Sequence, residues 1–382
     1  TGSLSDRAAT QVHDIGVHVV KNAAGETGFE ILVGGGLGRT PMIGQVIREF
    51  LPRQELLAYL EAILRVYNLL GRRDNKYKAR IKILVASLGV DEFRTRVEAE
   101  WERIKGGEMT LTDTYIDQIK AHFQPPAYDN NAAVDNTYAA KLASERDFAV
   151  WIERNTIAHK VAGHRAVTLT LKNYLVAPGD LTDQQMDAVA DLADRYNFGE
   201  VRTTHEQNMV FAHVKQADLF PLWQALTELG LARPVVGTIN DMITCPGLDF
   251  CSLANAETLS VARQVQERFQ DMDYLYDLGE LSLKMSGCIN ACAHHHVGHI
   301  GILGVDKNGE SYYQFTLGGS AAEDASLGKV LGKSIPLADV AETLQKILDV
   351  YVDVRADGER FLDTVRRVGN EPFKERVYAA NH

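Results

Sequence analysis

The chain has no apolar run near the roughly 20 residues that a membrane-spanning helix requires, and from Thr1 onward shows no basic-then-apolar segment of the secretory kind. Positive charge is not in excess. Forty Lys and Arg against 51 Asp and Glu leave a formal net charge of −11, which argues against nucleic acid or an anionic membrane as the main partner. Cysteine is scarce: four in 382 residues are too few for a disulfide scaffold, so reduced thiols serving a metal or redox centre in the cytoplasm are the expectation. No methionine stands at position 1; the chain opens TGSLSDRAAT. The remaining composition, 45% hydrophobic and 24% charged, is that of a globular protein. Its length predicts two or three packed units rather than one core.

What is present first is an internal repeat. FEILVGGGLG (29–38) aligns with YQFTLGGSAA (313–322), Gly34 on Gly318 and Gly35 on Gly319, an offset of 284 residues. In the same register Gly44 meets Gly328, Val46 meets Val330, Pro52 meets Pro336 and ILRVY (63–67) lies over ILDVY (347–351). After a four-residue slip Val85, Gly89, Phe93, Arg96 and Val97 match Val365, Gly369, Phe373, Arg376 and Val377. A register held this long marks two copies of one unit. Each copy reads as alternating strands, a glycine loop and an amphipathic helix, which the first copy places in RQELLAYLEAILRVYNLL (53–70) after Pro52. Polar FQPPAYDNNAAVDN (123–136) reads as linker. The second copy begins near residue 240, so the offset puts the start of the first before Thr1 and predicts a longer parent polypeptide.

Between the copies lies a different unit. HRAVTLTLKN (164–173) and EVRTTHEQNMVFAHV (200–214) read as strands, TDQQMDAVADLADRYN (182–197) and ADLFPLWQALTELGL (217–231) as helices. This β-α-β-α order is half of a ferredoxin-like sandwich. The fold class is therefore α+β, two repeats flanking a half-domain: 1–122 the first repeat, 123–150 linker, 151–235 the half-domain, 236–382 the second repeat.

All four cysteines fall in the second copy: Cys245 and Cys251 in TCPGLDFCSLANAE, Cys288 and Cys292 in SGCINAC. The pattern is C-x5-C and C-x3-C, 36 residues apart. Structural zinc favours C-x2-C knuckles, whereas an iron–sulfur cubane accepts four thiolates spread over a larger object. Gly247 and Gly287 let backbone approach such a centre. Zinc, a cluster, or four unliganded thiols all remain open on spacing alone.

C-x5-C followed by G-C-x-N-x-C resembles the assimilatory sulfite and nitrite reductase family, and the glycine loops and THEQN of the half-domain are similar to it over essentially the whole chain. The resemblance implies a 4Fe–4S cluster on Cys245, Cys251, Cys288 and Cys292, the last also bridging to the iron of a siroheme. It implies cofactor contacts for Asn290 and for Gln207 and Asn208. Siroheme carries eight carboxylates, which cations and backbone donors would receive. Gly34, Gly35 and Gly36 with Arg39 and Thr40 are expected there, with Gly318 and Gly319 as their counterparts. Six basic residues follow in GRRDNKYKARIK (71–82), whereas the second copy has Glu323 at the Arg39 position. His294, His295, His296 and His299 read as a polar wall rather than a metal site, because successive strand residues point to opposite faces.

The function implied is six-electron reduction of sulfite to sulfide, or of nitrite to ammonia. The partners implied are a small anion and an electron donor such as ferredoxin or a flavoprotein. The family's anion-binding residues are expected before Thr1, with an N-terminal fragment of the same protein as a further expected partner, so no catalytic residue is named. A non-catalytic electron-transfer subunit and a zinc-stapled structural protein stand as alternatives.

Overall fold

A computed structural model describes residues 1–3, 5–128, 136–174 and 176–379; the centre of the expected linker, 129–135, lies outside them. Two compact units emerge, 1–125 with 320–327, and 126–319 with 328 onward.

In the first unit β1 (Ile15–Lys21), β2 (Thr27–Val33) and β3 (Gln45–Pro52) form an antiparallel sheet. Helices α1 (Leu56–Leu70), α2 (Ile81–Leu88) and α3 (Val90–Ile104) cover it. The α1 period expected from sequence buries Ala58, Tyr59, Ala62, Ile63 and Val66 against Ile31, Val33 and Leu51. Fully burying each large apolar side chain contributes about 1.5–3 kcal/mol. Helix α4 (Asp113–Ala121) follows, capped by the Thr112 hydroxyl, which accepts from the Tyr115 N–H.

In the second unit α5 (Asn136–Ser144) and α6 (Arg146–Asn155) occupy the last part of the span read as linker. Tyr138 and Leu142 of α5 pack against the half-domain core, and Phe148 and Trp151 of α6, which runs on past residue 150, sink completely into it. Strands β4 (Thr156–Ala158), β5 (His164–Leu169), β6 (Arg202–Thr203) and β7 (Met209–Lys215) make a sheet in the order β4-β5-β7-β6. Helices α7 (Asp183–Tyr196) and α8 (Leu219–Glu228) complete the expected β-α-β-α order. A capping box between Thr182 and Gln185 starts α7.

The second repeat supplies a six-stranded sheet. Its path is β12 (Lys329–Val330), β11 (Glu310–Leu317), β10 (Ile300–Lys307), β9 (Leu283–Ser286) and β8 (Ile243–Thr244), with β13 (Ile335–Pro336) beside β11. Helices α9 (Leu259–Arg268), α10 (Met272–Leu278), α11 (Val340–Val354), α12 (Phe361–Val368) and α13 (Glu371–Tyr378) contribute to its core.

The repeat is visible in the backbone. Bridges Gly36–Met42 and Ser320–Ser326 keep the 284 offset. Gly34 and Gly318 both adopt left-handed φ, +82° and +85°, and lie against Val85 and Val365. The duplication also runs further than sequence comparison found: the 3-10 turns Thr10–Val12 and His295–Val297 each follow a left-handed residue, Ala9 and His294. Their carbonyls receive equivalent donors, Gly44 N–H to Gln11 O at 2.6 Å and Gly328 N–H to His296 O at 2.7 Å.

Candidate thiolate cage and its surroundings

Parallel pairing of β8 with β9 sets the cage. Ile243 and Thr244 pair with Lys284 and Met285, and the Cys245 N–H continues the ladder to the Met285 carbonyl at 3.1 Å. The chain then turns at Pro246 into a 3-10 turn, Gly247–Asp249, and Gly247 holds φ +59°. A Cβ there would stand 2.5 Å from Thr258 Oγ1, so glycine is required both by conformation and by space. The Cys251 N–H bonds the Gly247 carbonyl at 2.9 Å.

The second pair leaves the end of β9. Gly287 packs its Cα side against Gly247 Cα, its carbonyl accepts from the N–H groups of Asn255 and Ala256, and its own N–H donates to Cys245 Sγ at 3.1 Å. The two cysteine loops are thereby stitched together by backbone. Cys288 is buried, Cys245 and Cys251 half-buried and Cys292 exposed. Desolvation chiefly, and then the fields of Cys245, Cys288 and Cys251, raise the Cys292 pKa, so all four sulfurs share one electrostatic neighbourhood. Among the described residues no three His, Cys, Asp or Glu side chains converge as ligands of a single metal ion. Four soft thiolates on glycine-lined loops, with a backbone donor already aimed at one sulfur, fit an iron–sulfur cluster.

Gln207 anchors this cage. Its side-chain amide donates to the Thr244 carbonyl at 2.8 Å and its oxygen accepts the Thr244 N–H at 2.9 Å, fixing the residue before Cys245. Asn208 is buried, accepts from the Leu171 N–H and donates to Asp241 Oδ1 at 2.9 Å. Beside it the fully buried Lys172 donates to the Glu206 carbonyl at 2.8 Å. Burial draws the Lys172 pKa down to about 8 and pushes the Asp241 carboxyl up to about 6. Sequence reasoning singled out Gln207 and Asn208 but not Lys172, whose only signal was a charge in the strand-like HRAVTLTLKN, or Asp241, which lies in a bend before β8 and carried no signal. Asn290 is exposed at the rim of the cage.

Gly318 and Gly319 end β11 in the same unit. A Cβ on Gly319 would come within 2.6 Å of the Gly298 carbonyl, which alone requires glycine. In the other unit Gly34, Gly35 and Gly36 form the corresponding loop, and a Cβ on Gly35 would meet the Gln11 carbonyl at 2.4 Å. Buried Lys82 braces this loop, its ammonium donating to the carbonyls of Leu37 and Thr40, both at 2.7 Å. Arg80 forks onto Asp14 and Arg72 onto Asp74, so these basic residues are neutralised internally. Arg39 and Thr40 are exposed, and Arg39 makes no hydrogen bond or ion pair with a described residue, leaving its guanidinium available to an anion.

His295 is fully buried, neither ring nitrogen has a partner, and its ring lies 4.0 Å from that of His296. Desolvation first, then His296 and His294, lower its pKa to about 3. A neutral histidine in the fold that charges in the unfolded chain gives stability that is full above pH 6.5 and lost as pH falls toward 3. At 1.36 kcal/mol per unit the loss approaches roughly 4–5 kcal/mol. Denaturant melts from pH 7 to 4 are expected to show a shallower acid limb in H295Q than in the parent protein; superimposable profiles would count against it.

A duplicated sheet-and-helix unit around a half-domain, with four thiols gathered by glycine loops, defines a cluster-binding redox protein. Residues 1–105 and 237–381 match the nitrite and sulphite reductase 4Fe–4S domain, and residues 158–229 the nitrite/sulfite reductase ferredoxin-like half domain. The chain belongs to this family, whose matched domain is described as a 4Fe–4S domain. It is 27% identical to sulfite reductase [ferredoxin] 1 of Mycolicibacterium paratuberculosis over 95% of its own length and 60% of that protein's. It is 26% identical to the assimilatory ferredoxin-dependent nitrite reductase of Haloferax mediterranei, covering 98% of this chain and 61% of that one. The solved NirA protein of Mycobacterium tuberculosis superposes with a TM-score of 0.72 at 25% identity, covering 96% of this chain and 62% of NirA. The chain thus spans about 60% of the length of these relatives. No helix among the described residues is long and apolar enough to cross a membrane.

Proposed function

We propose that the chain works in siroheme-dependent reduction of sulfite to sulfide, with nitrite to ammonia as the second reading. The observation that carries this is that Cys245, Cys251 and Cys288 all act electrostatically on Cys292, on loops stitched by Gly287. These four would hold the cluster, and Cys292, the exposed one, would be shared with the siroheme iron. Bound there, the coupled pair supplies single electrons to a substrate that needs six. The protein's own contribution is positional. Gln207 fixes Thr244 and so aims Cys245, and the Gly287 N–H offsets charge on its sulfur. Within the first unit Arg39, Thr40 and the Gly35 N–H, and within the second Asn290 and Gly319, are the groups assigned to siroheme carboxylates. The Gly34, Gly36 and Gly318 N–H groups already donate to the Asp14, Met42 and His299 carbonyls, and Asn208 is held by Leu171 and Asp241.

Nitrite stays as the second reading because relatives of similar identity are named for each activity. Ferredoxin or an NADPH-linked flavoprotein is the proposed class of electron donor, since relatives are named for ferredoxin and for NADPH. The test is the absorption spectrum of the cofactor-replete protein, followed by side-by-side turnover of the two anions with a reduced viologen. A Soret band, a red-region band and faster sulfite consumption are expected. A spectrum without siroheme in a replete preparation overturns the proposal, and faster nitrite consumption selects the second reading.

A further inference from the structure

Three lysines are buried among the described residues: Lys82, Lys172 and Lys284, at 5%, 0% and 9% exposure. The first two are answered. Lys82 caps the carbonyls of Leu37 and Thr40, and Lys172 bonds the Glu206 carbonyl within the field of Asp241. Lys284 is not: its ammonium makes no hydrogen bond or ion pair with any described residue, and only the Glu206 carboxylate acts on it, from a distance. Its stem lies tight under the turn after the histidines, with the Cβ position of Gly298 only 3.1 Å from Lys284 Cβ. The stem is buried while the ammonium keeps a narrow access to solvent and has no partner among the described residues, so it is free to pair an anion at this position.

The sheet register says where that anion sits. Lys284 pairs with Ile243 on one side and Gly301 on the other. Side chains in register share a face, and residues two apart along a strand return to it. Cys245 is two residues beyond Ile243 and continues the same ladder through its N–H to Met285 O. Lys284 and Cys245 therefore project from one face, a single step apart, and the other three thiols lie in the same neighbourhood as Cys245.

We propose that Lys284 is the built-in counter-charge of the thiolate cage, a positioning residue whose cation raises the potential at which the cage takes up an electron. This rests on the cage holding a 4Fe–4S cluster. Reduction adds one electron and one negative charge from an external one-electron donor, with no bond made or broken. A fixed buried cation stabilises the reduced form more than the oxidised one, since net charge around a cluster is among the terms that set its potential.

The test is a mediated dithionite titration of the holo-protein and its K284M, K284Q and K284R variants, followed by the electron paramagnetic resonance of the reduced cluster. Iron and acid-labile sulfide are measured on each. In K284M and K284Q the reduced-to-oxidised ratio at a fixed potential is expected to fall at least tenfold, a downward shift of 59 mV for one electron; K284R stays near the parent value. Cluster content kept in K284R but lost from both uncharged variants supports the same counter-charge role. An intact cluster with unmoved potential in K284M or K284Q overturns it, and so does cluster loss in K284R, which marks the site as packing. A parent protein lacking iron and sulfide fails the cluster reading instead, and is distinguishable at the first measurement.

Discussion

A C292S variant is expected to lose at least about 100-fold in turnover while its cofactor-free form melts as the parent does. Even outer-shell partners of metal ligands cost 10–100-fold when changed, and Cys292 is the residue proposed above as a ligand shared between two centres, which carries more. The serine hydroxyl is no substitute, because it stays protonated at neutral pH and is a hard donor where soft thiolate is required. The exposure of Cys292 separates the two halves of the prediction. Its side chain supports no core, so the fold itself should change by no more than about 0.5 kcal/mol. Buried Cys288 is the contrast: C288S places a hydroxyl in an apolar position and should lower both cluster content and stability. Cluster content, the siroheme spectrum and turnover are measured on each variant. A C292S protein with parental spectrum and activity would remove the bridge from the mechanism.

Much of this site was legible in the chain because its signals are local. Cysteine spacing, glycine loops and the period of α1 each survive in a single stretch of sequence. The less legible parts depend on pairs brought together by the fold. Gln207 meets Thr244 across 37 positions, and nothing in THEQN distinguishes a backbone clamp from a cofactor ligand. Lys284 sits inside apolar LSLKMSG, where a strand lysine reads as facing solvent until the ladder shows both neighbours in place. The early part of the repeat was hidden for another reason. TQVHDIGV and HHVGHIGI share only a valine, an isoleucine and a glycine in register, and the hairpins that follow differ in length. The first turns through Asn22–Glu26; the second uses Asn308–Gly309, both left-handed, as a two-residue hairpin requires. What the two stretches conserve is a path of backbone, and side-chain identity records that poorly.

That shared path yields the second large effect. Gly301 is the second residue of β10, paired with Lys284 and Thr316, and needs no unusual φ. A Cβ there would nevertheless stand 2.0 Å from the His295 carbonyl and 2.3 Å from Thr316 Oγ1. Its counterpart Gly16 faces the Thr10 carbonyl at 2.6 Å, so in both copies a 3-10 turn lies directly across the strand. Carbonyls anchored in such a turn cannot yield as a flexible side chain would. G301A is expected to cost about 3 kcal/mol or more, the upper end of overpacking, or roughly 6–12 °C in melting temperature for a unit of this size. Gly358 supplies the control: its φ is +68° with open space around it, so G358A should cost only the left-handed penalty of about 1 kcal/mol. Equal melting of the two variants would show that the turn gives way. A large gap would show that it is rigid, and the turn that Gly301 admits begins three residues after Cys292. Glycine at 301 therefore fixes the exit of the cage as Gly247 and Gly287 fix its entry, and the G301A holo-protein should release its iron faster than G358A under the same chelator.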